Sequence, residues 1–184
     1  MTNWSKEIWD WIKVIVVVVL IVVIVRGFLF ANYVVSGPSM LPTVEDGQRM
    51  IINKIGYAFS EPERSDIIVF HANENSDYIK RVIGLPGDTV EYRDDMLYIN
   101  GEAQEEPYLE EYQNETSGAF TQDFTLEGVT GETTVPEDSY FVMGDNRPRS
   151  EDSRADAVGF VDEDQIVGEA SIRYWPLDDF TFSP

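Results

Sequence analysis

An uninterrupted apolar run near the N-terminus constrains this chain more than any other feature. Twelve apolar residues follow one another from 14 to 25, and apolar character resumes over 28–31. A bilayer core needs about 20 residues at helical rise, so the run is long enough only when it is counted over residues 11–31. Lys13 and Arg26 would then extend toward the two membrane interfaces. We predict a transmembrane anchor over residues 11–31.

Two other structures compete with the anchor. A cleaved secretory signal would carry a small-residue cleavage site after the run, and none follows it. A buried core helix would carry polar positions, which this run of Val and Ile lacks. Lys6 and Lys13 precede the run, and the first basic residue after Arg26 is Arg49. The positive-inside rule therefore predicts a cytoplasmic N-terminus and an acidic bulk outside the plasma membrane.

Composition excludes several chemistries. The 184 residues include 13 Lys plus Arg, 34 Asp plus Glu, one His and no Cys, with a net charge of -21. Without cysteine there is no disulfide, thiolate nucleophile or Cys-bearing metal centre, and His71 alone cannot form a multi-His metal site. The negative charge opposes binding to nucleic-acid phosphates. Any catalysis therefore depends on hydroxyls, carboxylates or amines, and we expect no metal site and no nucleic-acid partner.

Beyond the anchor the pattern is typical of β-strands. Short β-branched and aromatic runs alternate with turn residues, and no long segment has a helical period. The predicted strands are 33–35, 49–54, 66–70, 78–83, 89–93, 96–99, 140–143 and 169–175. This indicates a mainly β, mostly antiparallel ectodomain. Residues 101–135 are acidic, and we interpret them as part of a small β insertion over about 89–138. Its carboxylates are interpreted as a solvated face, since their spacing does not fit an EF-hand.

Lys80 is one of two lysines after residue 32, the other being Lys54. Alternation along its strand directs Lys80 and Arg81 to opposite faces, so one of the two faces the more buried side. If that residue is Lys80, desolvation lowers its pKa from about 10.4, and the neutral amine is a candidate general base. A snorkelling lysine on an edge strand is the alternative.

Ser39 lies in a constrained loop directly after the first predicted strand. Pro38 and Pro42 fix φ on either side of it, and Gly37 permits a close backbone approach. Such a loop holds a hydroxyl in one direction, although an ordinary proline-rich turn has the same composition. No Ser-x-x-Lys sequence occurs, which excludes the dyad of penicillin-binding enzymes. Nothing identifies His71 as the base of a Ser-His-Asp triad.

A polar loop over residues 143–154 is dense in Asp and Arg, whose paired charges can fix a backbone. Together with the two preceding elements, in this order, it resembles the type I signal peptidases, membrane-bound serine proteases with a Ser–Lys dyad. The motifs that carry the resemblance are GPSMLPT at 37–43, SDIIVF at 65–70, YIKRVIGLPGD at 78–88, and GDNR at 144–147 with DSR at 152–154. The single anchor and small insertion are similar to the Gram-positive branch.

The resemblance implies a role for each matching residue. Ser39 matches the nucleophile and Lys80 the general base. The residues that would support the site are Ser150, Asp152, Arg154 and Asp145. Among them, Ser150 matches a serine that hydrogen-bonds and orients the lysine. The Ser39 N–H is implied as an oxyanion donor, but Gly37 stands where Gram-negative enzymes carry a hydroxyl donor, so the second donor stays open.

The implied substrate is an exported preprotein, cut after small, Ala-x-Ala-like residues through an acyl-enzyme, with no metal or organic cofactor. An extended peptide can add to an exposed strand edge. The residues expected to line its shallow pockets are Tyr33, Val35, Gly37, Met40, Val44, Tyr78 and Ile79. Anchoring of the catalytic domain, residues 32–184, in the lipid bilayer would raise the effective substrate concentration, while residues 1–10 stay cytoplasmic.

Two rival functions remain open. Self-cleaving repressors share a Ser–Lys dyad on a related β scaffold, but they carry a DNA-binding helical domain where this chain has its apolar run. A non-catalytic, membrane-anchored β binding module would also explain the acidity and the strands. That alternative predicts that Ser39→Ala leaves function unchanged.

Overall fold

The computed structural model describes residues 4–116 and 118–182, without the side chains of residues 5, 24–26, 111 and 115. The predicted interface position of the Arg26 side chain therefore lies outside the described residues. So do residues 1–3 of the predicted cytoplasmic segment and residues 183–184 of the predicted ectodomain.

The N-terminal segment is a long exposed helix. Helix α1 covers Trp4–Ile24 and continues as a π-helical turn over Val25–Leu29. The span Lys6–Leu29 is long and apolar enough to cross a membrane, and none of its most apolar stretch is buried against protein. Residues 30 and 31, predicted to complete the anchor, belong instead to the first strand, because they pair with the second strand. The helix thus ends two residues earlier than the predicted anchor.

Among the described residues, twelve strands form two antiparallel sheets. They are β1 (Phe30–Val34), β2 (Arg49–Asn53), β3 (Ile67–Asn73), β4 (Ser76–Gly84), β5 (Val90–Arg93), β6 (Met96–Ile99), β7 (Glu102–Gln104), β8 (Phe124–Thr125), β9 (Ser139–Met143), β10 (Val161–Asp162), β11 (Ile166–Trp175) and β12 (Thr181–Phe182). The larger sheet has the order β1-β2-β11-β3-β4-β9-β10, with β12 paired to β11. The smaller sheet has the order β7-β6-β5-β8. The mainly β, antiparallel architecture is as predicted.

Each of the eight predicted strands overlaps an observed strand. The four strands that the sequence did not reveal, β7, β8, β10 and β12, have only two or three residues. A period of two cannot be recognised over so short a length. The smaller sheet lies within the residues predicted as an insertion, and two short helices accompany it, α2 (Glu110–Glu115) and α3 (Leu126–Thr130).

Strand β4 lies inside the larger sheet, between β3 and β9. The sheet is covered on both faces here, because Ile67 and Val69 of β3 pack into one apolar cluster and Ile68 packs into another. Lys80 and Arg81 of β4 are consequently both buried, with 3% and 5% of their surfaces exposed. The prediction that one of the two faces the more buried side is therefore too narrow, because both faces of the sheet are covered at β4.

The larger sheet begins directly at the end of the apolar helix. The Lys54 N–H donates to the Leu29 carbonyl at 2.9 Å, and Phe30 stands opposite Asn53 in the β1–β2 pairing. A single hydrogen-bonded ladder therefore connects the last helical residue to the sheet, with no linker between them.

Candidate active site

Ser39 and Lys80 meet although 41 residues separate them along the chain. Lys80 extends from β4, and Ser39 lies in the loop between β1 and β2. The Lys80 Nζ is 2.9 Å from the Ser39 Oγ, and it also donates to the carbonyl of Ile79 at 3.0 Å. This is the distance at which a proton can pass between the hydroxyl and the amine.

Burial determines the charge state of this amine. It lowers the pKa of Lys80 from 10.5 to about 8, against the opposing effect of the Asp152, Glu151 and Asp145 carboxylates. The ring of Tyr78 also lies 5.1 Å from the Nζ. A substantial neutral fraction is therefore present at mildly alkaline pH, as a general base requires.

Two residues hold the main chain around Ser39. The Asn146 N–H donates to the Ser39 carbonyl at 3.0 Å, and the Asn146 side-chain amide donates to the Pro38 carbonyl at 2.9 Å. The Gly37 N–H donates to the Asp46 carboxylate at 2.8 Å, with Gly37 at φ +91°, where an L side chain is strained. Asn146 has no separate role in the sequence analysis, where it is only the third residue of the GDNR motif.

A buried ion pair joins β4 to the polar loop. The Arg81 guanidinium donates two hydrogen bonds to Asp145, at 2.9 and 2.7 Å, and a third to the Ser65 carbonyl at 2.8 Å. The Thr43 hydroxyl also donates to Asp145. Asp145 thus connects the serine loop to the lysine strand.

A second ion pair closes the polar loop on itself. The Arg154 guanidinium donates to both oxygens of Asp152 at 2.8 Å, and the Gly144 N–H donates to the same carboxylate at 2.9 Å. Burial would raise the pKa of Asp152, but Arg154 and the Gly144 N–H outweigh it, so the pKa lies below its usual value. Asp152 is therefore ionised and fixes the loop.

Ser150 does not make the hydrogen bond expected with Lys80. Its Oγ is buried and has no hydrogen-bond partner within residues 4–116 and 118–182. It packs instead on Gly144, where an added Cβ would lie 2.2 Å from the Ser150 Oγ and 2.4 Å from the Ser39 carbonyl. Only glycine fits at this crossing of three segments. The orienting role of Ser150 stays a prediction.

A groove of about 290 Å³ opens beside the dyad. The predicted pocket residues that line it are Tyr33, Val35, Gly37, Tyr78 and Ile79. Met40 and Val44 do not line it, which corrects the prediction. Both are fully buried in the apolar cluster beneath the loop, because the turn closed by the Val44 N–H and the Met40 carbonyl directs them inward. Met50 and Val69, which the sequence did not identify, contribute to the wall instead.

The rim of the groove is charged. The Tyr33 hydroxyl donates to Asp77 at 2.7 Å, and the Tyr78 hydroxyl donates to Glu151 at 3.2 Å. Burial and the neighbouring Asp77 raise the pKa of Tyr33 to about 12, so its hydroxyl stays neutral. His71 pairs with Asp77 at 2.6 Å on this rim and not with Ser39.

A serine hydroxyl beside a buried amine, next to an open apolar groove, is the arrangement of a serine hydrolase that acts on extended peptides.

Comparison with known proteins identifies the family within this class. A family model described as signal peptidase, peptidase S26, matches residues 8–175. Signal peptidase I of Bacillus caldolyticus is 51% identical over 175 residues, 95% of this chain and 93% of that protein. Signal peptidase IB of Staphylococcus aureus strain MRSA252 is 44% identical over 184 residues, 97% and 95% of the two chains. A solved signal peptidase I from Enterococcus faecalis V583 is 51% identical, covers 60% of this chain and 97% of that one, and has a TM-score of 0.57.

The chain belongs to the signal peptidase, peptidase S26 family. Its activity is that of a membrane-anchored serine endopeptidase, and its substrates are preproteins with signal peptides. The resemblance predicted from the motifs, including the Gram-positive relationship, is confirmed by the Bacillus and Staphylococcus relatives.

Proposed function

We propose that Ser39 is the nucleophile and Lys80 the general base of this signal peptidase. The observation that carries the proposal is the 2.9 Å contact between the Ser39 Oγ and a buried lysine whose pKa lies at about 8. The neutral amine takes the hydroxyl proton as the Oγ attacks the scissile carbonyl, and the ammonium returns it to the leaving amine. Water, activated by the same amine, then hydrolyses the acyl-enzyme.

The lowered pKa of Lys80 strongly increases the fraction of molecules in which this amine is neutral. At pH 7.5, a lysine with a pKa of about 10.4 is neutral in about 0.1% of molecules, whereas one with a pKa of about 8 is neutral in about a quarter. Burial therefore raises the reactive fraction of Lys80 by about two orders of magnitude.

The Ser39 N–H is our candidate oxyanion donor. In the described part of the chain, no acceptor is paired with it. The Gly37 N–H is already bound by Asp46 at 2.8 Å, and Pro38 has no N–H. One main-chain donor is therefore assigned to the oxyanion, and residue 37 supplies neither a hydroxyl nor a free N–H.

The substrate is proposed to bind as an added strand in the groove. Strand β1 is at the edge of the larger sheet, and β9 pairs with β4 only from Arg81 onward, so residues 78–80 also have an open edge. Both open edges line the groove. An extended peptide between them would place alternate side chains against the walls formed by Tyr33, Tyr78 and Ile79, which leave room for small residues.

A preprotein substrate with Trp at the first or third position before the scissile bond is expected to be cleaved with a kcat/KM about 100-fold lower. The bulky side chain would clash with the rigid groove wall, and such overpacking costs up to about 3 kcal/mol. The measurement is cleavage of a preprotein series by the full chain in lipid vesicles. Trp at the second position is the matched control, because its side chain points away from the groove. Equal losses at all three positions would contradict the assigned strand geometry.

We further propose that residues 1–10 are cytoplasmic and residues 32–184 form the catalytic domain outside the plasma membrane. The support is the pair Lys6 and Lys13 at the start of an exposed apolar helix. In right-side-out membrane vesicles, added protease should digest the catalytic domain and leave an N-terminal tag intact. Protection of the catalytic domain in intact vesicles would reverse the orientation.

A further inference from the structure

A buried pair of opposite charges lies behind the dyad and is not used in the proposed reaction. Arg147 of the polar loop has a fully buried side chain, and the side chain of its partner Glu106, which follows β7 of the smaller sheet, is 5% exposed. Separation of such a pair is unfavourable, because it would leave each charge uncompensated away from water.

Glu106 is saturated with donors. It accepts from the hydroxyls of Tyr92 and Tyr108, both at 2.6 Å, and from the guanidinium of Arg147. Arg147 also donates to the Tyr92 oxygen at 3.0 Å. Burial alone would raise the pKa of Glu106, but the Arg147 charge and these hydrogen bonds hold it below its usual value, so the carboxylate is ionised. The network therefore allows little movement of Arg147.

Arg147 in turn braces the polar loop. Its Nε donates to the Gly144 carbonyl at 3.1 Å, its main-chain N–H donates to the Asp145 carbonyl at 2.9 Å, and its own carbonyl accepts from Arg154 at 2.8 Å. The residue between these anchor points is Asn146, which bonds the main-chain carbonyls of Pro38 and Ser39.

A second contact runs from the same segment to the lysine strand. The ring of Tyr108 lies 3.9 Å from the centre of the Arg81 guanidinium, and Arg81 is the neighbour of Lys80 in β4. Tyr108 therefore touches Glu106 by its hydroxyl and Arg81 by its ring, so the segment that follows β7 contacts the lysine strand as well as the ion pair.

We propose that Glu106 is a positioning residue for Ser39: through Arg147 it fixes the turn whose Asn146 holds the main chain of the serine loop. The inference rests on the proposed function, in which Ser39 is the nucleophile. It also gives the acidic insertion a part in the reaction beyond solubility. Effects of about 100-fold on rate follow from displacements of about 1 Å in a reacting group, which is the scale on which such a brace acts.

The test is Glu106→Gln in the full chain, assayed on a preprotein in lipid vesicles. The change keeps the volume and removes the charge that holds Arg147. We expect kcat to fall about 10- to 100-fold while KM changes by less than about twofold, because the groove is left intact. Glu105→Gln is the matched control, since this exposed neighbour should leave kcat unchanged.

A double-mutant cycle separates positioning from a general loss of stability. Asn146→Ala removes the bond to Pro38 without touching the ion pair, and we expect Glu106→Gln to add little to its effect on kcat, because both act through the same turn. If Glu106→Gln does not fold, Tyr108→Phe replaces it in the cycle with the same expectation. Effects on kcat that multiply in the double variant would overturn the proposal.

The outcomes also distinguish this inference from the function on which it rests. A folded Glu106→Gln protein with wild-type kcat, beside an inactive Ser39→Ala protein, overturns the positioning role alone. Cleavage by Ser39→Ala at the wild-type rate overturns the proposed nucleophile and the positioning role with it.

Discussion

Replacing Ser39 by Ala is expected to lower kcat for preprotein cleavage by at least about 10⁴-fold, because the acyl-enzyme can no longer form. Binding should be nearly unchanged, since the groove walls do not depend on the Oγ. The measurement is single-turnover cleavage of a preprotein by the purified full chain in vesicles, with KM determined alongside kcat.

Ser36→Ala is the matched control for this variant. Ser36 lies in the same loop, three residues earlier, and lines the same groove. Ser36→Ala should change kcat little, because the Ser36 hydroxyl makes no hydrogen bond to Lys80. Cleavage by Ser39→Ala at the wild-type rate would instead mean that another group is the nucleophile, and the Ser–Lys assignment would be abandoned.

Lys80→Met should reduce kcat about as strongly, by about 10⁴-fold or more, because the hydroxyl then has no base within reach. Met keeps most of the buried aliphatic stem, so packing in β4 is largely preserved. Lys54→Met is the control, as Lys54 is exposed and is the only other lysine after residue 32. The double variant with Ser39→Ala should be no slower than either single variant, since the two groups act as a unit.

The wild-type protein should show the titration of Lys80 directly. Its pKa is lowered from 10.5 to about 8, so the neutral base accumulates as pH rises through about 8, and kcat/KM should rise over the same window and then level off. The Asp152, Glu151 and Asp145 carboxylates oppose this lowering, and the Tyr78 ring lies 5.1 Å from the Nζ. A midpoint near 10.5 would mean that the reacting lysine is hydrated.

Most of the fold could be predicted from periodicity. Strands such as β4 and β11 are long enough for alternation and β-branched residues to identify them, and the apolar run identifies its own helix. The burial of Arg81 could not be predicted in the same way. The burial of Arg81 depends on the packing of other segments against both faces of the larger sheet. The residue pattern of one strand cannot predict that packing.

The dyad could be predicted only because the motif that contains Ser39 and the motif that contains Lys80 occur in the same chain. Neither Ser39 nor Lys80 was distinctive in its own segment. Side-chain direction within the serine loop was beyond the sequence, which is why Met40 was expected in the groove and lies in the core. Glu106 was hidden among many acidic residues of the insertion, and only its contact with Arg147 sets it apart.

The direct junction between α1 and the larger sheet limits how far the active site can lie from the membrane. From Leu29 to Ser39 the chain advances ten residues. Even a fully extended chain of that length reaches only about 35 Å. Because the Lys54–Leu29 hydrogen bond and the β1–β2 ladder leave no flexible linker, we expect the Ser39 hydroxyl to stay at a nearly constant height above the lipid. We therefore expect a scissile bond displayed farther out than this reach to be cleaved poorly, whatever its flanking residues.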